Sequence, residues 1–115
     1  MKKIDLILSH EHFLEVSELL HKHKIDGMTF YGVKGRGRSR QEEVSAGRGI
    51  ARTVPEFIVG TKIELVVEDS VVQSIIADVR AILSKGSFPF GKIFVSEIVE
   101  VHDIINTHES SDSAL

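Results

Sequence analysis

The residues of this chain best suited to chemistry stand together in Val33-Lys34-Gly35-Arg36-Gly37-Arg38-Ser39-Arg40, where glycines alternate with arginines. A backbone of glycines can bring bare N–H groups against an anion, and guanidinium groups grip one with paired donors. The segment follows an alternating apolar stretch, so the pattern suggests a phosphate-bearing ligand held where a strand ends. Taken alone, the same residues also fit a plain solvated turn. Basic charge continues beyond them: Lys34, Arg36, Arg38, Arg40, Arg48 and Arg52 face only Glu42 and Glu43. A field this local suits a small anion or an acidic partner surface better than a nucleic-acid duplex.

Little else in the chain could do covalent chemistry. Glu42 and Glu43 are adjacent and point apart, and no nucleophile stands with a base, so catalysis is not expected. Of six histidines, His10 with His12 and His21 with His23 are each two residues apart. That spacing does not bring both rings to one helix face, and surface histidines rather than a metal site are expected. Cysteine is absent, which excludes disulfides and thiolate metal sites.

A length of 115 residues with 42% hydrophobic content suits one domain with a modest core. The formal net charge of −3 lacks the basic excess of general nucleic-acid binders. No apolar run is long enough to span a membrane and the N-terminus has no signal-peptide pattern, so a cytoplasmic protein is expected.

The elements that must position the glycine-arginine segment follow from periodicity. Residues 2–9 alternate as a strand, with Ile4, Leu6 and Leu8 on one face and Ile7 on the other. Ser9 is placed to cap a helix over 11–24, whose apolar stripe is Phe13, Val16, Leu19, Leu20 and His23, and Asp26-Gly27 should end it. Met28, Phe30 and Val33 begin a second strand that runs into the glycine-arginine segment. Residues 37–54 show no sustained period and read as a long loop, a rare feature that usually serves function. Residues 57–67 form an apolar strand. Ser70-Val71-Val72-Gln73 reads as a capping box opening a second helix with Val72, Ile75, Ile76, Val79, Ile82 and Leu83 inward. A last strand is expected over 91–105, and a polar tail over 106–115.

This order, strand–helix–strand twice over, predicts an α+β, ferredoxin-like βαββαβ sandwich. An antiparallel sheet then carries both helices on one face. Apolar residues on both sides of the first and third strands predict self-association through the other face.

Five motifs occur in order along the chain: Met1-Lys2-Lys3-Ile4-Asp5, Gly27-Met28-Thr29, Val33-Lys34-Gly35 with Gly37-Arg38, Lys62-Ile63-Glu64, and Gly91-Lys92-Ile93-Phe94-Val95. With the ending Asp112-Ser113-Ala114-Leu115, the set resembles the PII signal-transduction family over essentially residues 1–115. The resemblance implies a homotrimer with adenine-nucleotide sites between subunits. Ile7, Gly27, Met28 and Thr29 would line the adenine side, with Gly35, Arg36, Gly37 and Arg38 at the sugar and phosphates, and Val66 would also belong to the nucleotide site. Pro89, Phe90, Gly91 and Lys92 would belong to the phosphate-binding B-loop region, 86–91 and its flank, with Gly91 and Lys92 donated by the neighbouring subunit. Residues 37–54 would be the T-loop, whose Arg40, Glu42, Glu43, Arg48 and Arg52 would meet a target protein such as a membrane transporter or a metabolic enzyme.

Four departures shape what this member is expected to bind. The B-loop reads Gly86-Ser87-Phe88-Pro89-Phe90-Gly91-Lys92, and Pro89 removes an N–H donor. Residues 103–107 carry none of the family's arginines. Both changes favour ADP or AMP over ATP. Ser39 and Gly60 stand where the family has the glutamine and lysine of its 2-oxoglutarate site, and the T-loop has no tyrosine to nucleotidylate. Two other readings compete. One is a sensor of nucleotide plus bicarbonate or another small anion, using Arg48 and Arg52. The other is a structural or metal-handling trimer with a decayed nucleotide site.

Overall fold

The computed structural model describes residues 1–25, 27–36, 57–85 and 91–105, together with the backbone of 42–46 and 50–54. Its elements are β1 (Lys2–Leu8), α1 (Phe13–Lys22), β2 (Thr29–Gly35), β3 (Glu42–Ala46), β4 (Ile50–Val54), β5 (Ile58–Val67), α2 (Val72–Leu83) and β6 (Lys92–Glu97). Four strands form one sheet in the order β2-β5-β1-β6, and every neighbouring pair is antiparallel. This is the ferredoxin-like architecture expected from the alternation of elements.

The period of two decides which face is the core. Ile4, Leu6 and Leu8 of β1 and Ile63, Leu65 and Val67 of β5 are fully buried, packed with Val16 and Leu20 of α1 and Ile75 and Val79 of α2. The alternate positions, Lys3, Asp5 and Ile7 on β1 and Lys62 and Glu64 on β5, lie on the opposite face and are only partly covered.

Several local expectations are corrected. Residues 37–54 contain the two-stranded ladder β3–β4, with Glu43 opposite Thr53 and Val44 opposite Arg52. The last strand stops at Glu97 instead of continuing to 105. Its partner β1 begins at Lys2, opposite Glu97, and the last bond between the two segments runs from Ile98 N–H to the Met1 carbonyl. Neither Ser9 nor the Ser70 box caps a helix through its side chain. Each helix is instead entered through a short 3-10 turn, His10–His12 and Asp69–Val71, whose tighter bonding satisfies the first donors by backbone alone.

The end of α1 is also set differently. Ile25 N–H bonds the Leu20 carbonyl and Lys24 N–H bonds the His21 carbonyl, a Schellman closure in which Lys24 takes φ 64° and Ile25 is buried. Thus Lys24, and not Asp26-Gly27, stops the helix. A side chain at positive φ costs about 1–2 kcal/mol, whereas glycine loses about 0.5–1 kcal/mol more backbone entropy on folding. Lys24→Gly is therefore expected to stabilise the chain by about 0.5–1 kcal/mol, read from the urea midpoint at unchanged m-value.

Candidate functional site

The strand registers determine which of the chemically suited residues stand together. On the face away from the helices, Tyr31 of β2 lies opposite Lys62 of β5, Lys62 opposite Ile7 of β1, and Ile7 opposite Lys92 of β6. One row across the sheet is therefore Tyr31, Lys62, Ile7, Lys92. Gly91 precedes Lys92, and a Cβ placed on it would meet only the Ile7 carbonyl, at an ordinary 3.8 Å. The chain's own packing thus does not demand glycine at this position.

The next row on that face is Thr29, Glu64, Asp5, Phe94. Here the charges are largely satisfied. Lys3 Nζ lies 3.6 Å from Asp5 Oδ1 and 3.8 Å from Glu64 Oε1, and the Tyr31 hydroxyl donates to Glu64 Oε2 at 2.9 Å. Lys62 holds its ammonium 5.9 Å from the centre of the Tyr31 ring. Hydrogen bonding with the Tyr31 side chain raises the Lys62 pKa above the ordinary lysine value, so the ammonium stays charged across the physiological range.

Among the expected site residues, Ile7, Gly91 and Lys92 converge at one end of β1. Gly35 and Arg36 lie toward the same end of the sheet, Gly35 opposite Ile58 at the finish of β2. Thr29 is exposed at the start of β2, opposite Glu64 and one row from Tyr31, while Val66 is opposite Lys3 and nearly buried. Met28 does not join them through its side chain, which packs onto the core on the helix side, near Ser17, His21 and Ile25. Only its backbone is left for a ligand on the open face. Gly37, Arg38, Arg40, Arg48, Pro89 and Phe90 lie outside the described residues. Glu42, Glu43 and Arg52 are placed on the β3–β4 ladder by backbone alone.

Lys62, Glu64 and Tyr31 escaped the sequence reading as site candidates. Their spacing of two on a strand shows that Lys62 and Glu64 share a face, and only the register with β1 puts that face beside Ile7. A groove of about 640 Å³ between α2 and β6, lined by Ile76, Arg80, Leu83 and Ile93, also borders Gly91 and Lys92, on the helix side.

Three of the histidines have separate partners. His10 Nδ1 is 2.5 Å from Thr61 Oγ1, His12 Nδ1 is 3.5 Å from Glu15, and His23 Nε2 is 2.7 Å from Asp78, tying the end of α1 to α2. Among the described residues no three histidine or carboxylate side chains are grouped to hold a metal ion, and no helix is long and apolar enough to cross a membrane.

The family model described as nitrogen regulatory protein P-II matches residues 1–109. The chain is 36% identical over 114 residues to nitrogen regulatory protein P-II of Azospirillum brasilense, covering 98% of this chain and 99% of that one. It is 35% identical over 116 residues to nitrogen regulatory protein P-II 1 of Escherichia coli, covering both chains fully. Among solved structures, it is similar to the GlnK–ATP complex of B. subtilis with a TM-score of 0.65 and 25% identity, over 85% of this chain and 84% of that chain.

Proposed function

The chain belongs to the nitrogen regulatory P-II family, and on that premise we propose that it binds an adenine nucleotide (ADP, AMP or ATP) between the subunits of a cytoplasmic homotrimer. Nucleotide binding then controls a partner protein through residues 37–54. The family is one of signalling regulators, not of enzymes. The GlnK of B. subtilis is seen with ATP, which favours the same ligand class here.

The observation that carries this reading is the separation of the two half-sites. Thr29 and Lys92 lie on opposite edge strands, three strand spacings or roughly 14 Å apart. The seven residues of β2 carry the chain roughly 20 Å from Thr29 to Gly35. A base at Thr29 and phosphates at Gly35 or Lys92 are reconciled when two copies supply one half each. This also redraws the division expected from the resemblance. Gly91 and Lys92 stand beside Ile7 of their own chain, so Ile7, Gly35, Arg36, Gly91 and Lys92 form the phosphate half. Gly27, the Met28 backbone, Thr29 and Val66 of the neighbouring subunit form the base half.

Coupling to a partner requires that the nucleotide bind two arrangements of the 37–54 segment with different affinity. The β3–β4 ladder is one such arrangement, and it presents Glu42, Glu43 and Arg52 in a short ribbon. The target, a membrane transporter or a metabolic enzyme, would meet that ribbon.

Titration calorimetry with ATP, ADP, AMP and cyclic AMP, each with and without 2-oxoglutarate and bicarbonate, tests the reading. Binding of one nucleotide per subunit to a trimer is the expected result. No heat with any nucleotide at millimolar concentration would overturn it.

A further inference from the structure

We propose that the helix side of the β2–β5 ribbon carries a second ligand site, a recess at Gly32 that takes a small phenol, one aromatic ring bearing a hydroxyl. The recess lies on the face opposite to Lys62 and Lys92, and the inference does not depend on the nucleotide reading. Register fixes its floor. Gly32 of β2 lies opposite Thr61 of β5, and Thr61 opposite Leu8, the last residue of β1. Phe30, two residues before Gly32 and opposite the buried Ile63, shares this face. Beyond Leu8 the chain leaves the sheet through the 3-10 turn His10–His12 and enters α1. A recess of about 370 Å³ results, walled by His10, Phe13 and Phe30.

Glycine at this position answers no need of the fold. β2 pairs with β5 without interruption from Thr29 to Gly35, so Gly32 marks no bulge. A Cβ built on it would meet nothing within 4 Å, so a larger side chain has room. Glycine inside a strand costs backbone entropy, and one that neither bends the strand nor relieves a contact leaves space for a ligand. The walls have the chemistry of a ring site. Phe13 and Phe30 hold their ring centres 4.6 Å apart at 47°, and Phe30 stays 53% exposed, with surface left for a third ring. A void of about 150 Å³ accepts benzene, so the volume suffices. At the polar end, His10 Nδ1 is hydrogen-bonded to the hydroxyl of the buried Thr61. Whichever partner donates, neutral imidazole keeps Nε2 as the complementary donor or acceptor. A phenolic hydroxyl can answer either. Gly32 stands three positions before Gly35, so a bound ring sits at the root of the 37–54 segment.

The test follows the backbone amides of Gly32 and Thr61 by nuclear magnetic resonance of the whole chain, titrating p-cresol, toluene and cyclohexanol. Saturable shifts at both amides are expected with p-cresol. Its affinity should exceed by about threefold or more that of toluene, which lacks the hydroxyl, and of cyclohexanol, which lacks the π-system. Gly32→Leu fills the recess with a side chain of its own. It is expected to abolish p-cresol binding at an unchanged or higher urea midpoint. His10→Ala gives a second reading should that variant fail to fold: p-cresol then loses its advantage over toluene. Absence of shifts at millimolar p-cresol, equal affinity for the three compounds, or undiminished binding to Gly32→Leu would each overturn the proposal. So would dissociation of the assembly in Gly32→Leu, seen by light scattering, since the recess would then hold a neighbouring copy.

Discussion

Leu6→Ala is expected to destabilise the chain by about 2–5 kcal/mol, read as a lower urea midpoint with little change in m-value. Leu6 is fully buried at the centre of β1, flanked across the sheet by Ile63 of β5 and Ile93 of β6. The helices close over it, with Val16, Leu20, Ile75 and Val79 in the same core. Truncation removes three buried carbons and leaves a cavity whose walls belong to paired strands, which cannot collapse without breaking register. A small domain holds only about 5–15 kcal/mol in reserve, so the loss takes a large share of it. The control is Leu14→Ala on α1, where the side chain is 71% exposed and the change is expected to stay within about 0.5 kcal/mol. Comparable shifts in the two variants would contradict the placement of the core on the helix side of β1.

Lys92→Ala is expected to raise the dissociation constant for ADP by about tenfold to a hundredfold while leaving the urea midpoint in place. The side chain is exposed and forms no ion pair among the described residues, so removing it takes nothing from the folded chain. In the proposed site its loss would remove a charge-assisted contact to phosphate of about 1.5–3 kcal/mol. The effect should shrink as salt rises, because an exposed cation is screened. Adenosine, which lacks phosphate, should bind the variant as it binds wild type. A fall in ADP affinity matched by adenosine would mean that Lys92 supports the shape of the site and not the phosphate contact.

The fold was largely legible in the sequence because its signals are local and redundant. Alternation in Ile4, Leu6 and Leu8, and the helical recurrence of Val16 with Leu20 and Ile75 with Val79, each name a face without knowledge of the rest of the chain. Termini were less legible, since they depend on what is absent. β6 stops at Glu97, opposite Lys2, where its pairing with β1 ends, and the apolar Val99, Val101, Ile104 and Ile105 beyond it are exposed on a single chain. Helix ends went the same way. Ser9 and Ser70 carry the right side chains for capping, but backbone bonds in the 3-10 turns take the role first.

For the candidate site, sequence alone determined the ingredients: Gly35 and Arg36 at a strand end, Ile7 in the first strand, and Gly91-Lys92 opening the last. Their types and order suffice because glycine permits close backbone approach and the basic groups attract anions wherever they are placed. What only the tertiary structure decided is adjacency. Ile7 and Lys92, 85 positions apart by number, become cross-strand neighbours because β1 lies between β5 and β6. The same ordering places Lys62 on Ile7's other side and turns the Met28 side chain into the core. Register is a property of paired strands, fixed by which face of each must be buried, and no single strand contains it.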